Sequence, residues 1–96
     1  MASVVVTIKL MPTEPGVNWD GVYDKACEHI KAFVDQKHKD GEMRKQVEPI
    51  GFGLSALKIT FVMDEQIGGT EKLEENIKKI EGVENVETID VRRAIG

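Results

Sequence analysis

Near the start of the chain, apolar side chains fall on every second position: Val4, Val6, Ile8 and Leu10 alternate with Val5, Thr7 and Lys9. A period of two sends the two sets to opposite faces of a pleated chain, so Ser3 to Leu10 predicts a strand with one face on a core. Two prolines and a glycine within Met11-Pro12-Thr13-Glu14-Pro15-Gly16 then break the pattern. Beyond them the spacing changes to three and four at Trp19, Val22, Tyr23, Ala26, Cys27, Ile30, Phe33 and Val34, the stripe of an amphipathic helix. Asn18 can cap its first turn, and Asp20 suits the positive end of the helix dipole. Polar residues from Gln36 to Glu42, with Gly41 among them, predict a loop. The helix is expected to end near Lys37.

Met43 to Ile50 forms a weaker strand pattern interrupted by Pro49. A proline cannot donate to a ladder, so this strand belongs at a sheet edge or ends at the proline. Gly51-Phe52-Gly53 marks a turn. Leu57, Ile59, Phe61 and Met63 then alternate with Lys58, Thr60 and Val62 as a clear third strand. Gly68-Gly69 breaks the chain, Thr70 is a candidate N-cap, and Leu73, Ile77 and Ile80 form the stripe of a second helix stopped by Gly82 as its C-cap. Val86 to Arg93 gives a last strand, with Ile89 and Val91 on one face.

Strand, helix, strand, strand, helix, strand is the split βαβ order. The expected fold is α+β and ferredoxin-like (β-α-β-β-α-β): an antiparallel four-stranded sheet with both helices on one face. Residues 1–96 are expected to form a single domain, since 96 residues leave no room for a second core. A chain this short buries only about 60–65% of its unfolded surface, so stability is expected to be modest.

Composition narrows the possible functions. The net charge is −4, which disfavours nonspecific attraction to nucleic acid or anionic membranes. A single cysteine, Cys27, allows neither an internal disulfide nor a cysteine-based metal cage, and fits a reducing, cytoplasmic compartment. No apolar run exceeds three residues, and no basic-then-apolar leader opens the chain, so no membrane segment is expected. The usual tenants of the fold also lack their residues. There are no paired thiolates for copper, no arginine before Arg44 to cradle an acyl phosphate, and no four cysteines for an iron–sulfur cluster. Phe61, the aromatic on the middle strands, has the parity of the core, so it gives bases nothing to stack on. Neither G-x-x-x-x-G-K-[ST] nor G-x-G-x-x-G occurs, and no spacing suggests a nucleophile with its base. No enzyme, cofactor or metal is expected.

Other conspicuous residues have ordinary explanations. Cys27 lies on the helical stripe as a buried, inert thiol. His29 and His38 are solvated, Trp19 is a lid on the core, and Glu71, Glu74 and Glu75 form a wet helix face that suits its positive end. Two places are less ordinary. In Glu48-Pro49-Ile50-Gly51-Phe52-Gly53-Leu54, an aromatic ring between two glycines either folds back on its own sheet or projects as an anchor for a partner. At Asp90-Val91-Arg92-Arg93-Ala94-Ile95-Gly96, an arginine pair directly follows the last strand, which fixes its direction.

These two places carry a resemblance. Pro49-Ile50-Gly51-Phe52-Gly53-Leu54, Leu57-Lys58-Ile59, Gly69-Thr70, Asp90-Val91-Arg92-Arg93 and the Met11-Pro12-Thr13 turn together resemble the guanine nucleotide exchange domain of translation elongation factor 1-beta. The likeness is to the short archaeal members and covers essentially the whole chain. It implies the ferredoxin-like fold and a role in releasing GDP from the GTPase elongation factor 1-alpha during peptide-chain elongation. The implied partner-binding residues are Pro49, Ile50, Gly51, Phe52, Gly53, Leu54, Asp90, Arg92 and Arg93. Phe52 would insert into a pocket of the GTPase, and the chain end would reach toward its magnesium and switch region. Eukaryotic members carry a near-terminal lysine where this chain has Arg93, a planar fork in place of a compact ammonium. Direct nucleic-acid and membrane contacts are not expected, and the free protein is expected to be a monomer. A second reading remains open: a small regulatory or ligand-sensing module of this fold, acting as a homodimer through its exposed sheet face.

Overall fold

The computed structural model describes residues 3–34, 43–67 and 69–93. Four strands and two helices occur among them: β1 (Ser3–Pro12), α1 (Trp19–Phe33), β2 (Arg44–Gly51), β3 (Leu54–Asp64), α2 (Glu71–Lys78) and β4 (Val83–Arg93). A single 3₁₀ turn, Glu65–Ile67, follows β3. The strands form one antiparallel sheet in the order β2-β3-β1-β4. This is the ferredoxin-like arrangement that the element order implied.

The core is the apolar set that the two periodicities mark. Val6, Ile8 and Leu10 of β1 lie opposite Phe61, Ile59 and Leu57 of β3, and all six are buried. Val22, Ala26 and Ile30 of α1, and Leu73 and Ile77 of α2, close over them, with Val83 and Val86 of β4 and Ile80 at the rim. Each of these side chains larger than alanine contributes about 1.5–3 kcal/mol of hydrophobic transfer. Trp19 is a half-buried lid on this cluster. The sheet's other face carries the opposite parity, including the cross-strand pair Thr7 and Thr60, whose hydroxyls lie 3.1 Å apart. No helix among the described residues is long and apolar enough to cross a membrane.

Several boundaries differ from expectation, each for a local reason. β1 continues through Met11 and Pro12, because a shift of register at that point lets Pro12 pair opposite Val83 without needing its missing donor. Asn18 caps α1 as expected, accepting from the Gly21 amide at 3.3 Å. The helix stops at Phe33, where Val34 turns to extended backbone; the expected end near Lys37, the Gln36–Glu42 loop and His38 lie outside the described residues. Gly68 and residues 94–96 are likewise outside them.

Thr70 stands at the N-cap of α2 but makes no capping bond with its side chain. Its hydroxyl instead meets Glu74 Oε2 at 3.0 Å and the Thr88 hydroxyl at 2.8 Å, and Thr88 donates to the same Glu74 oxygen at 3.2 Å. Glu74 therefore ties α2 to β4 and does not serve as a wet face. At the other end, α2 closes at Lys79, not at Gly82. Gly82 sits in the following turn at φ 98, and a Cβ there would lie 3.1 Å from Val17 Cγ1. That close approach, with the Thr13 amide donating to the Gly82 carbonyl at 3.1 Å, joins the two loops at this end of the sheet. Cys27, expected to be buried, is half-buried beside Tyr23. Burial, and then a hydrogen bond between the two side chains, pushes the Tyr23 phenol up to about 12.

Candidate functional site: a projecting ring and a cationic strand end

The β2–β3 hairpin is closed by two residues, Phe52 and Gly53, between the paired Gly51 and Leu54. Both loop residues have positive φ, 54 at Phe52 and 75 at Gly53, and Gly51 precedes them at 101. Positive φ at both central positions is the type I′ geometry, whose twist matches the flanking strands and whose usual occupants are Asn and Gly. Nothing lies within 4 Å of a Cβ built on Gly51 or Gly53, so the dihedral and not space selects glycine there. Phe52 has no such freedom. A left-handed conformation costs an ordinary L-residue roughly 1–2 kcal/mol.

That cost is accompanied by full exposure. Phe52 is 99% accessible, so the ring projects beyond the hairpin and does not fold back on its sheet. Ile50 is left unmatched between the pairs Pro49–Ser55 and Gly51–Leu54, a bulge that bends the strand just before the turn. Pro49 lies on the sheet edge, as its missing donor requires. Ile50 and Leu54 are half-buried at the base of the loop. Behind them, Lys58 forms an ion pair with Glu48, whose carboxyl is held below its ordinary range by the lysine's hydrogen bond and charge.

Arg92 and Arg93 occupy the far end of the sheet. Arg92 lies opposite Val5, while Arg93 lies opposite Val4 on the core-side parity. The pair is thus split between the two faces. Arg92 Nε donates to Asp90 Oδ2 at 2.9 Å, and Arg93 Nη2 donates to Glu65 Oε1 at 2.8 Å. Both arginines are largely exposed and both carboxylates are open to solvent by 42%, so these bonds orient the cations more than they stabilise the fold. Glu65 was not singled out in the sequence. It stands in the 3₁₀ turn after β3, and only the sheet order brings it near Arg93.

A bulge in β4 also changes one expectation. Thr7 pairs with Asp90 and Ile8 with Thr88, leaving Ile89 as the extra residue. Ile89 therefore joins Thr7, Lys58, Thr60, Asp90 and Arg92 around a shallow concavity on the open sheet face. Val91 takes the other face, opposite Val6. Both side chains are exposed, Ile89 by 42% and Val91 by 58%.

The structure does not bring the two sets of residues together. Val62 of β3 is level with Arg92 through Val5, eight residues from Leu54 at the hairpin. At about 3.3 Å per residue that separates the levels by roughly 26 Å. The ring stands on the β2 side and the arginines on the β4 edge, so they occupy diagonal corners. Among the described residues, no group of three or more His, Cys, Asp or Glu side chains could hold a metal ion. What the geometry offers is two rigidly related contact points, one apolar and one cationic.

Sequence comparison identifies the family. A family defined as the EF-1 guanine nucleotide exchange domain matches residues 5–94. The chain belongs to this family. Proteins named elongation factor 1-beta align over nearly their whole length. The relative from Methanothermobacter thermautotrophicus is 43% identical over 93 residues, 97% of this chain and 98% of its own. That from Methanocaldococcus jannaschii is 40% identical over 95 residues, 98% of this chain and 100% of its own. In Saccharolobus solfataricus the identity is 37% over 94 residues, 97% of each chain. All three organisms are archaea. Among solved structures, one titled BlrP1 BLUF superposes with a TM-score of 0.53 at 11% identity, over 98% of this chain and 56% of that one. At that identity the likeness concerns the fold alone. Family membership places the chain among exchange domains.

Proposed function

We propose that this exchange-domain protein promotes GDP release from elongation factor 1-alpha during peptide-chain elongation, by docking and without side-chain chemistry of its own. The observation that carries the reading is Phe52: a nearly fully exposed aromatic ring, held in a left-handed turn between two glycines. Backbone strain at an exposed bulky residue needs a return elsewhere, and a partner's apolar pocket supplies it. The family match and the elongation factor 1-beta relatives support the choice of partner. Residues 1–96 act as one exchange domain, monomeric when free and at work in the cytoplasm.

The residues divide the task. Pro49, Ile50, Gly51, Gly53 and Leu54 build the turn that holds out Phe52, which anchors the complex. Arg92 and Arg93, with Asp90 fixing the first of them, reach the magnesium and switch region of the nucleotide site. The underlying physics is linkage. A factor that binds better to the GTPase with its nucleotide site opened weakens GDP, and GDP weakens it by the same factor. A thousandfold acceleration asks for a barrier lowered by about 4 kcal/mol. One well-buried aromatic contributes about 2–4 kcal/mol, and charged contacts supply the rest.

The test is stopped-flow release of fluorescent GDP from the cognate elongation factor 1-alpha, with and without this protein. Acceleration that saturates with protein concentration is expected, and a folded Phe52→Ala variant should produce little of it at concentrations that saturate the wild type. Release at the same rate with and without the protein would refute the proposal.

A further inference from the structure

Arg93 is not free to wander at the end of β4. Its Nη2 donates to Glu65 Oε1 at 2.8 Å, and the two residues are 28 apart in sequence. Glu65 opens the 3₁₀ turn that follows β3, while Arg93 ends β4, and β1 lies between those strands. The bond therefore straps across the N-terminal end of β1, over two interstrand spacings of about 4.8 Å each. The turn itself is fixed, because Asp64 Oδ1 accepts the Gln66 amide at 2.8 Å. Asp64 is paired with Ser3 in the ladder, so the turn hangs from the sheet and aims the Glu65 carboxylate at the strand end.

The contact uses one nitrogen of the guanidinium. A guanidinium has five N–H donors in a rigid fork, and this side chain is 71% exposed, so the contact leaves other donors accessible. The side chain is thus oriented without being used up. We infer that Glu65 is the positioning residue for Arg93, holding its fork in the direction from which it engages the partner's nucleotide site. The inference rests on the exchange role proposed above and deepens it. The reason is entropic: an arginine already held along one direction loses less freedom on docking than one sampling all rotamers. An exposed ion pair is weak enough to yield to a stronger partner, so the strap orients Arg93 and does not trap it.

The experiment compares wild type, Glu65→Ala, Arg93→Ala and the double variant in the GDP-release assay, over a range of factor concentrations. Glu65→Ala is expected to lower the maximal rate about three- to tenfold while leaving the half-saturating concentration within about twofold. In the Arg93→Ala background the same change should have no further effect, because its influence passes through that arginine. A merely structural glutamate would instead shift both backgrounds alike. Relaxation of the Arg93 side-chain Nε–H in the free protein gives a second readout, ordered in wild type and mobile in Glu65→Ala. An unchanged or faster maximal rate, a fall that persists without Arg93, or an equally mobile Arg93 in both proteins would overturn the inference. A wild-type protein that leaves GDP release unchanged would overturn it together with the exchange reading, and that result is read without any Glu65 variant.

Discussion

Phe52 and Arg93 stand at diagonal corners of one sheet, and different physics holds each in place. The ring is aimed by backbone dihedrals: three consecutive residues at positive φ set the direction in which the Phe52 Cα–Cβ bond leaves the turn. The guanidinium is aimed by a side-chain contact to a carboxylate on another strand. Covalent geometry is indifferent to salt and pH, whereas an exposed ion pair is screened by both solvent and ions. On the proposed reading, one corner offers a fixed apolar fit and the other a charge that can change partners. A factor that must first grip a GTPase and then disturb its bound nucleotide needs one contact of each kind.

The sharpest test of this contrast is Phe52→Ala. Docking should weaken by about 2–4 kcal/mol, read as a rise in the concentration needed to stimulate release, with the thermal midpoint unchanged or raised. Next comes removal of residues 92–96, which should slow GDP release by an order of magnitude or so while weakening binding less. Equal losses in rate and binding would mean that this end only docks, and the contrast would fail. Phe52→Asn then separates fold from function. Asn tolerates the left-handed region that strains phenylalanine, so stability should rise by about 1 kcal/mol while stimulation falls as far as in Phe52→Ala. In a domain of this size that gain appears as a rise of roughly 4–8 °C in Tm.

Ionic strength should sharpen the difference further. Salt is expected to reduce the residual stimulation of Phe52→Ala, which relies on the charged corner, by a larger factor than that of a protein ending at Val91. The smallest effect concerns Glu48, behind the hairpin. Its carboxyl is held below the ordinary range by Lys58, so the pair's contribution is present at neutral pH and is lost as pH falls through the lowered value. Lys58→Met should therefore flatten the acid side of the stability profile, measured by denaturant unfolding between neutral pH and about pH 3.

Much of this was legible in the chain itself. The alternation through Val4–Leu10 and Leu57–Met63 and the stripe from Trp19 to Val34 gave the strands, the first helix and most of the core, because burial repeats with the period of the backbone. Pro49 marked the edge strand through its missing donor, and Gly51 and Gly53 marked the turn. Less local features were hidden. The bulge that sends Ile89 and Val91 to opposite faces exists only as a mismatch between two paired strands. Thr70 and Glu74 resemble an ordinary helix start until Thr88 is placed beside them. Neither signal can be found within a single segment.

The order of apolar, polar, glycine and proline positions determined the elements, the sheet's buried face and the presence of a ring at a tight turn, since each follows from interactions within a few residues. Only the tertiary structure decided that Phe52 points into solvent, that the arginine pair is split between two faces, and that Glu65 meets Arg93. Those outcomes depend on strand order and register, through which residues remote in sequence come within the reach of a hydrogen bond.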